Sequence, residues 1–271
     1  MHRRIIALTA AALAALLIAA GCSSSKNSPS SPPASSTGAG SASSSAAVSG
    51  TVTVFAAASL KESFTTLGKQ FQSAHPGTTV KLGFGASSDL AEQINQGAPA
   101  DVFASASRKN MKQVVDAGGA SASKNFVKNV MEIAVPPNNP GHVSSVTDLA
   151  KSGVKVALCQ PEVPCGAVAA EVFKNAKITV KPVTLEPDVK TTLSKVELDE
   201  VDAGVVYATD VRAAGSKVKG IVIPDKLNAS TEYPIAALAD APNATGGQAF
   251  VAYVLSPAGQ SVLSADGFQK P

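Results

Sequence analysis

The sequence predicts an α/β fold with two lobes, each a mostly parallel sheet flanked by helices. Two observations lead to this prediction. From residue 51 onwards, short β-prone segments alternate with helical ones, which is typical of parallel sheets covered by helices. The alternation occurs twice, and the extended segments "MEIAVPP" and "TEYPIAAL" separate the copies. We therefore expect one lobe from residues 51–132 and 235–271 and a second from residues 133–234.

The first copy begins with the strand "TVTVFAA" and the helix "SLKESFTTLGKQFQSAH". Apolar residues recur in this helix at spacings of four, three and four, which is an amphipathic pattern; they are Leu60, Phe64, Leu67 and Phe71. The next predicted elements are, in order, the strand "TTVKLGFGA", the helix "SSDLAEQINQG", the strand "ADVFASAS" and the helix "RKNMKQVVDAGG". Glycines end both of these helices.

The second copy starts with the extended run "VMEIAVPPNNP". Its helices are predicted at "VTDLAKSG", "GAVAAEVFKNA", "DVKTTLSKVELD" and the short turn "TDVRAAGS". Its strands are predicted at "VKVALC", "ITVKPVTL", "AGVVYA" and "VKGIVIP". After "TEYPIAALAD", the segment "GGQAFVAYVLSPAGQSVLSADGF" predicts one or two C-terminal helices.

The first fifty residues carry export signals. Arg3 and Arg4 precede an apolar run that ends at "AAGC", which predicts a secretory signal over residues 1–21. "AAGC" resembles a bacterial lipobox, so we expect lipidation of Cys22, although Ala19 stands where leucine is usual. A retained transmembrane helix is the alternative.

Residues 23–50 are rich in serine, proline and glycine, and predict a disordered tether that spans roughly 30 Å. We expect the protein to be exported and lipid-anchored to the outer face of the cytoplasmic membrane.

Charge and composition argue against several partners. Arg3, Arg4 and Lys26 precede residue 50, so 20 of the 23 basic residues remain to balance 20 acidic ones. The folded part is formally neutral, whereas a nucleic-acid-binding protein calls for a basic stripe. Tryptophan is absent and aromatic residues make up 4% of the chain. Aromatic platforms for bases or sugars are therefore not expected.

Two cysteines remain after Cys22, and both lie in "CQPEVPCG". Because an exported chain is in a disulfide-permissive compartment, we expect Cys159 and Cys165 to form a disulfide. Two free thiols and a metal pair are the alternatives. His75 and His142 lie in unrelated turns, which argues against a zinc site, and no metal-cation ligands are predicted.

The sequence contains no catalytic motif of a common kind. It has no G-x-S-x-G, P-loop, dinucleotide-binding or H-E-x-x-H motif. We therefore expect no enzyme activity. Two alternatives stay open: an exported serine hydrolase with Ser59 or Ser87 near a histidine, and a purely structural surface lipoprotein.

A strand end, then small residues, then a helix start recurs four times. A helix start offers free N–H groups and the positive end of the helix dipole, so it favours anions. The four junctions are Ala57-Ala58-Ser59, Ala86-Ser87-Ser88, Pro164-Cys165-Gly166 and Pro187-Asp188-Val189.

Each junction also has a purely structural interpretation. Ser59 with Glu62 fits a capping box, and Ser87 or Ser88 fits an ordinary N-cap. Asp188 fits a helix cap, and "VPCGA" fits a turn held by the disulfide.

Four motifs together carry a family resemblance. "TVFAAASL", "FGASSDLAEQINQGAPADVFASA", "PEVPCGAVAAEVF" and "GVVYATDV" resemble, in order, those of the periplasmic molybdate-binding proteins of ABC importers. The resemblance implies the hinged, type II-like periplasmic-binding-protein fold. It also implies a bound molybdate or tungstate dianion, no cofactor, and delivery to an ABC permease by a monomer. The alternative within this class is a receptor for another tetrahedral oxyanion such as sulfate.

The same resemblance implies five ligand residues. Two serine hydroxyls, two backbone N–H groups and one tyrosine hydroxyl would hold the anion; they belong to Ser59, Ser87, Cys165, Val189 and Tyr207. Alanine is common in the family where this chain has Cys165. Asp210 is expected to cap a helix, because its carboxylate would repel a dianion.

Overall fold

The computed structural model of the protein describes residues 48–271. The predicted signal sequence, the lipidation site Cys22 and residues 23–47 of the predicted tether lie outside this range. Within the described range, no helix is long and apolar enough to cross a membrane.

The described residues form nine strands and eight α-helices. The strands are β1 (Gly50–Ala57), β2 (Thr78–Gly85), β3 (Val102–Ala104), β4 (Lys124–Val135), β5 (Val156–Cys159), β6 (Thr184–Glu186), β7 (Ala203–Tyr207), β8 (Lys219–Val222) and β9 (Ser230–Ala237). The helices are α1 (Lys61–Ala74), α2 (Ser87–Asn95), α3 (Arg108–Asp116), α4 (Pro164–Ala176), α5 (Val189–Glu197), α6 (Ala208–Ala214), α7 (Ala244–Leu255) and α8 (Pro257–Ala265). Short 3-10 turns cover Ala58–Leu60, Val146–Ala150 and Gly215–Lys217.

The strands follow the order β2-β1-β3-β9-β4-β7-β5-β6, with β8 also paired to β4. β1 is parallel to β2 and β3, and β5 is parallel to β6 and β7. β4 and β9 run antiparallel to their neighbours. The predicted α/β class is confirmed, and the antiparallel β4 and β9 join two groups of parallel strands.

Strand β4 takes part in both groups. Its residues 124–130 pair with β9, and its residues 131–135 pair with β7 and β8. We call β1, β2, β3 and β9 the first half of the sheet, and β5 to β8 the second half. The lobe boundaries predicted after residues 132 and 234 stay a prediction.

The apolar residues predicted for the first helix lie in the core. Leu60, Phe64, Leu67 and Phe71 are fully buried and pack in one cluster with β1 and with Phe250 of α7. Burial of each such side chain contributes about 1.5–3 kcal/mol. A second cluster surrounds β5 and β7 in the other half.

Two local predictions need correction. The predicted strand "ITVKPVTL" shrinks to Thr184–Glu186, because Pro182 has no N–H to pair within a ladder. The predicted helix at "VTDLAKSG" is a 3-10 turn over Val146–Ala150, and Ser145 is its N-cap.

Candidate functional site

A small cavity lies where the residues after β1 and β2 meet the beginnings of α4, α5 and α6. All five residues predicted as ligands line this one cavity; they are Ser59, Ser87, Cys165, Val189 and Tyr207. Ser59 and Ser87 follow strands of the first half of the sheet. The other three follow or end strands of the second half. The site therefore lies between the two halves.

Small side chains surround the cavity on the side of the first half. Ala57, Ala58, Ala86 and Ala106 line it and are nearly fully buried. Because a methyl group is short, the neighbouring backbone stays close to the cavity. No lysine or arginine is among the described residues that line it.

Three helices begin at the cavity wall. α2 begins at Ser87, α4 at Pro164 and α5 at Val189. The first N–H groups of a helix have no partner within the helix, and the helix dipole adds partial positive charge there. The N–H groups of Ser87, Cys165 and Val189 belong to this class of donors.

Ser59 does not cap a helix, so its capping-box interpretation is wrong. The 3-10 turn Ala58–Leu60 precedes α1 and places Ser59 inside the turn, and the N-cap of α1 is Leu60. The Ser59 hydroxyl instead lies 2.8 Å from the hydroxyl of Tyr233. Glu62 turns outward to an ion pair with Lys190.

The interpretation of Ser87 or Ser88 as an N-cap is also wrong. Ala86 is the N-cap of α2, and Ser87 is the first residue of the helix. The Ser87 hydroxyl oxygen accepts the N–H of Ala106 at 2.9 Å. Ser88 donates to Asp89.

Cys159 and Cys165 form a disulfide, as predicted, with their Cα atoms 5.8 Å apart. Both cysteines are buried. The disulfide joins the end of β5 to the second residue of α4, so it holds the start of α4 at the cavity. Gly166 follows directly, and a Cβ there would collide with the carbonyl oxygen of Gln160.

Asp188 is the N-cap of α5, as its structural interpretation predicted. Its side chain accepts the N–H of Thr191 at 2.9 Å. The cap fixes the direction of the first turn, which begins at Val189.

Tyr207 is almost fully buried at the end of β7. Among residues 48–271, no group makes a hydrogen bond to its hydroxyl. Burial raises the pKa of Tyr207 well above its ordinary value, and the nearby Tyr233 and Asp210 raise it further. The hydroxyl therefore keeps its proton. A buried donor without a partner costs free energy, so a ligand oxygen in the cavity would stabilise it.

Asp210 sits behind the cavity and, as predicted, caps a helix. Its carboxylate accepts the N–H of Tyr207 at 3.2 Å at the start of α6. It also pairs with Lys190 at 2.9 Å. Burial raises the pKa of Asp210, and the Lys190 charge opposes that shift.

The family model of the bacterial extracellular solute-binding proteins matches residues 52–269. The chain belongs to this family. It is therefore a solute-binding protein and not an enzyme, so the serine-hydrolase alternative is wrong. Such a protein needs no cofactor.

Individual relatives agree with this assignment. The chain is 39% identical to the molybdate-binding protein ModA of Mycobacterium tuberculosis, over 82% of this chain and 85% of the relative. It is 34% identical to a putative ABC transporter substrate-binding lipoprotein, YvgL, of Bacillus subtilis, over 80% of this chain and 86% of the relative. The resemblance to molybdate-binding proteins inferred from the motifs is confirmed.

A solved structure supports the fold. The periplasmic molybdate-binding protein of Azotobacter vinelandii superposes with a TM-score of 0.72 over 81% of this chain and 99% of its own. At 19% identity this likeness shows the fold alone. The predicted periplasmic-binding-protein fold is confirmed.

Three polar residues next to the site were not predicted from the sequence. Tyr233 and Asn129 lie behind Ser59, and Lys190 lies behind Tyr207. Tyr233 occurs in a segment interpreted only as extended, and Lys190 in one interpreted only as helical. Asn129 lies one residue before the extended run "VMEIAVPPNNP", outside every predicted element. Nothing in the local pattern distinguishes them from ordinary strand and helix residues.

Proposed function

We propose that this protein binds molybdate or tungstate in the cavity between the two halves of the sheet. The observation that carries the proposal is the set of neutral donors around one cavity. They include the buried hydroxyl of Tyr207, which has no hydrogen-bond partner among residues 48–271. Ser59, Ser87 and Tyr207 offer hydroxyls, and Cys165 and Val189 offer backbone N–H groups.

The physical chemistry favours an unprotonated dianion. Removing a dianion from water is costly unless its oxygens receive several hydrogen bonds. Each bond to a charged acceptor contributes about 1.5–3 kcal/mol, so a cage of five donors offsets much of that cost. A protonated oxyanion would bring a donor to a site that presents donors.

The relatives favour molybdate over other tetrahedral oxyanions. The M. tuberculosis relative is named as a molybdate-binding protein, and it covers most of this chain. Sulfate is the second candidate, because it has the same charge and the same tetrahedral arrangement of oxygens. Discrimination between molybdate and sulfate would therefore depend on the size of the cavity.

Export and delivery complete the proposed function. Lipidation at Cys22 would anchor the protein to the outer face of the cytoplasmic membrane, and the tether would leave the binding domain free to reach an ABC permease. The name of the B. subtilis relative as a lipoprotein supports the anchor. We propose that a monomer carries one anion.

Calorimetric titration of the purified protein with molybdate, tungstate, sulfate and phosphate tests the proposal. We expect heat with molybdate and tungstate and little with phosphate. If sulfate binds most tightly, the protein is an oxyanion receptor but molybdate and tungstate are not its preferred ligands. No heat, and no rise in melting temperature, with any of the four would reject the proposed function.

Ser87→Ala tests one of the proposed ligands. It removes a hydroxyl donor, so we expect the molybdate affinity to fall about 10- to 100-fold in calorimetry. Ser88→Ala is the matched control, because the Ser88 hydroxyl bonds to Asp89 on the surface. Equal affinities of the two variants would remove Ser87 from the ligand set.

A further inference from the structure

Behind the cavity, a short chain of buried hydrogen bonds ends at Ser59. Asn129, Tyr233 and Ser59 are nearly or fully buried. The Tyr233 hydroxyl lies 2.8 Å from the Ser59 hydroxyl and 3.5 Å from Nδ2 of Asn129. Tyr233 belongs to β9 and Asn129 to β4, the two strands that join the halves of the sheet.

The orientation of the Asn129 amide is determined by its own neighbours. Its Oδ1 accepts the N–H of Val130 at 3.0 Å, and its Nδ2 donates to the hydroxyl of Thr209 at 2.8 Å. The atom that faces Tyr233 is therefore the NH₂ group, which donates and does not accept. Asn129 therefore cannot accept a hydrogen bond from the Tyr233 hydroxyl.

The Tyr233 proton then has one acceptor in this chain of bonds, the Ser59 oxygen. Burial raises the pKa of Tyr233, so its hydroxyl stays protonated. The opposite arrangement, with Ser59 donating to Tyr233, would leave the buried Tyr233 proton with no acceptor between its two hydrogen-bond partners, Ser59 and Asn129, which is costly. Tyr233 therefore donates and Ser59 accepts.

This direction decides what Ser59 presents to the cavity. A serine hydroxyl that accepts on its inner side is free to donate its own proton on the other side. Ser87 has the same arrangement, because its oxygen accepts the N–H of Ala106. Both serines thus have an oxygen engaged by an internal donor and a proton available for a ligand.

We propose that Tyr233 is a positioning residue that makes Ser59 a donor toward the bound oxyanion, with Asn129 setting the direction of the chain. The inference rests on the proposed function of the cavity. Tyr233 would not contact the anion. It would determine that Ser59 presents its proton, and not its oxygen lone pair, to the anion.

The consequence is twofold. A pre-oriented hydroxyl donates to a dianion without first breaking another bond, and chains of hydrogen bonds polarise one another. Because the Ser59 oxygen already accepts from Tyr233, it is also a poorer hydrogen-bond acceptor for the O–H of a protonated oxyanion. Tyr233 would therefore favour molybdate over hydrogen phosphate.

A double-mutant cycle on Ser59 and Tyr233, with molybdate affinity as the readout, tests the proposal. We expect Tyr233→Phe to weaken molybdate binding about three- to tenfold and to narrow the preference for molybdate over phosphate. In a Ser59→Ala background, the same substitution should change the molybdate affinity by less than about twofold, because the residue through which it acts is gone. Ser59→Ala/Tyr233→Phe removes both partners together, so it leaves no orphaned hydroxyl in this pair.

Tyr253→Phe is the matched control. It removes the same hydroxyl from a tyrosine whose partner, Gln70, lies away from the cavity. We expect wild-type affinity and selectivity from it. An effect of Tyr233→Phe that is absent, or that is equally large without the Ser59 hydroxyl, would overturn the inference. Failure of the wild-type protein to bind any oxyanion would instead reject the function on which it rests.

Discussion

At the scale of single residues, two carboxylates hold the charge of Lys190 next to the site. Lys190 follows Val189 and pairs with Asp210 at 2.9 Å and with Glu62 at 2.8 Å. Burial by itself would lower the pKa of Lys190, but the two carboxylates outweigh it and raise the pKa. Lys190 thus stays charged and compensates a fully buried carboxylate rather than the cavity.

Removal of that compensation should destabilise the fold. Lys190→Met keeps the length and apolar packing of the side chain but leaves Asp210 buried without its partner. Breaking one member of a buried pair typically costs about 3–5 kcal/mol. We expect a clear fall in the melting temperature of the anion-free protein, measured by calorimetry.

The matched variant is Lys190→Met/Asp210→Asn, which removes both charges. It should recover much of the lost stability, because no isolated charge remains. If the single and double variants are equally unstable, the effect of Lys190 does not come from Asp210.

At the scale of the elements, the start of α4 is the most constrained part of the site. The disulfide joins Cys165 to the end of β5, and Gly166 packs against the backbone of the loop between them. A disulfide that closes so short a loop contributes about 2 kcal/mol through the entropy of the unfolded chain. Its second effect is local, since it holds the Cys165 N–H at the cavity.

Gly166→Ala tests this constraint. The added methyl group would collide with the Gln160 carbonyl, and overpacking of this kind costs about 1–3 kcal/mol or more. We expect a lower melting temperature and weaker molybdate binding, because the shift displaces the N–H group of Cys165.

Gly68→Ala makes the same change in α1 as a control. Its Cβ would meet the Val80 side chain at 3.4 Å, which is ordinary contact. Replacement of a helical glycine by alanine gains about 0.5–1 kcal/mol, so stability should hold or rise. Equal losses in both variants would contradict the role of Gly166.

At the scale of the whole molecule, one ion pair connects the two halves of the sheet directly. Glu62 lies on α1, which packs on the first half, and Lys190 lies on α5, which packs on the second. If the halves move apart as the predicted lobes would, this pair breaks. The pair therefore favours the arrangement in which residues from both halves line one cavity.

Glu62→Gln should accelerate release of molybdate with little change in thermal stability. The Glu62 side chain is about half exposed, and such pairs contribute about 0.2–1 kcal/mol, which corresponds to an effect of up to about fivefold. The molybdate dissociation rate can be measured by stopped flow. The difference between Glu62→Gln and wild type should shrink at high salt, because screening weakens the ion pair.

Glu171→Gln changes a similarly exposed glutamate, which pairs with Lys174 within α4, and serves as the control. It should release molybdate at the wild-type rate. Equal dissociation rates for Glu62→Gln and wild type would show that the pair does not help to hold the halves together.

The sequence by itself predicted the α/β class and most elements, and the family resemblance of its motifs predicted five of the residues that line the cavity. Periodicity placed Leu60, Phe64 and Phe71 in the core, because an amphipathic helix has one buried face. The strand-to-helix junctions were visible because small residues and helix starts are local patterns. The disulfide was predicted because both remaining cysteines lie in one short segment of an exported chain.

Only the tertiary structure decided which hydrogen-bond or ion-pair partner each polar side chain near the cavity has. The local pattern gave Ser59 a capping role with Glu62, but its partner is Tyr233, 174 residues away. The partner of Glu62 is Lys190, 128 residues away. A hydroxyl or carboxylate bonds to whatever donor or acceptor the packed chain brings within about 3 Å. That choice depends on the folded arrangement of distant strands and helices, which local spacing does not encode.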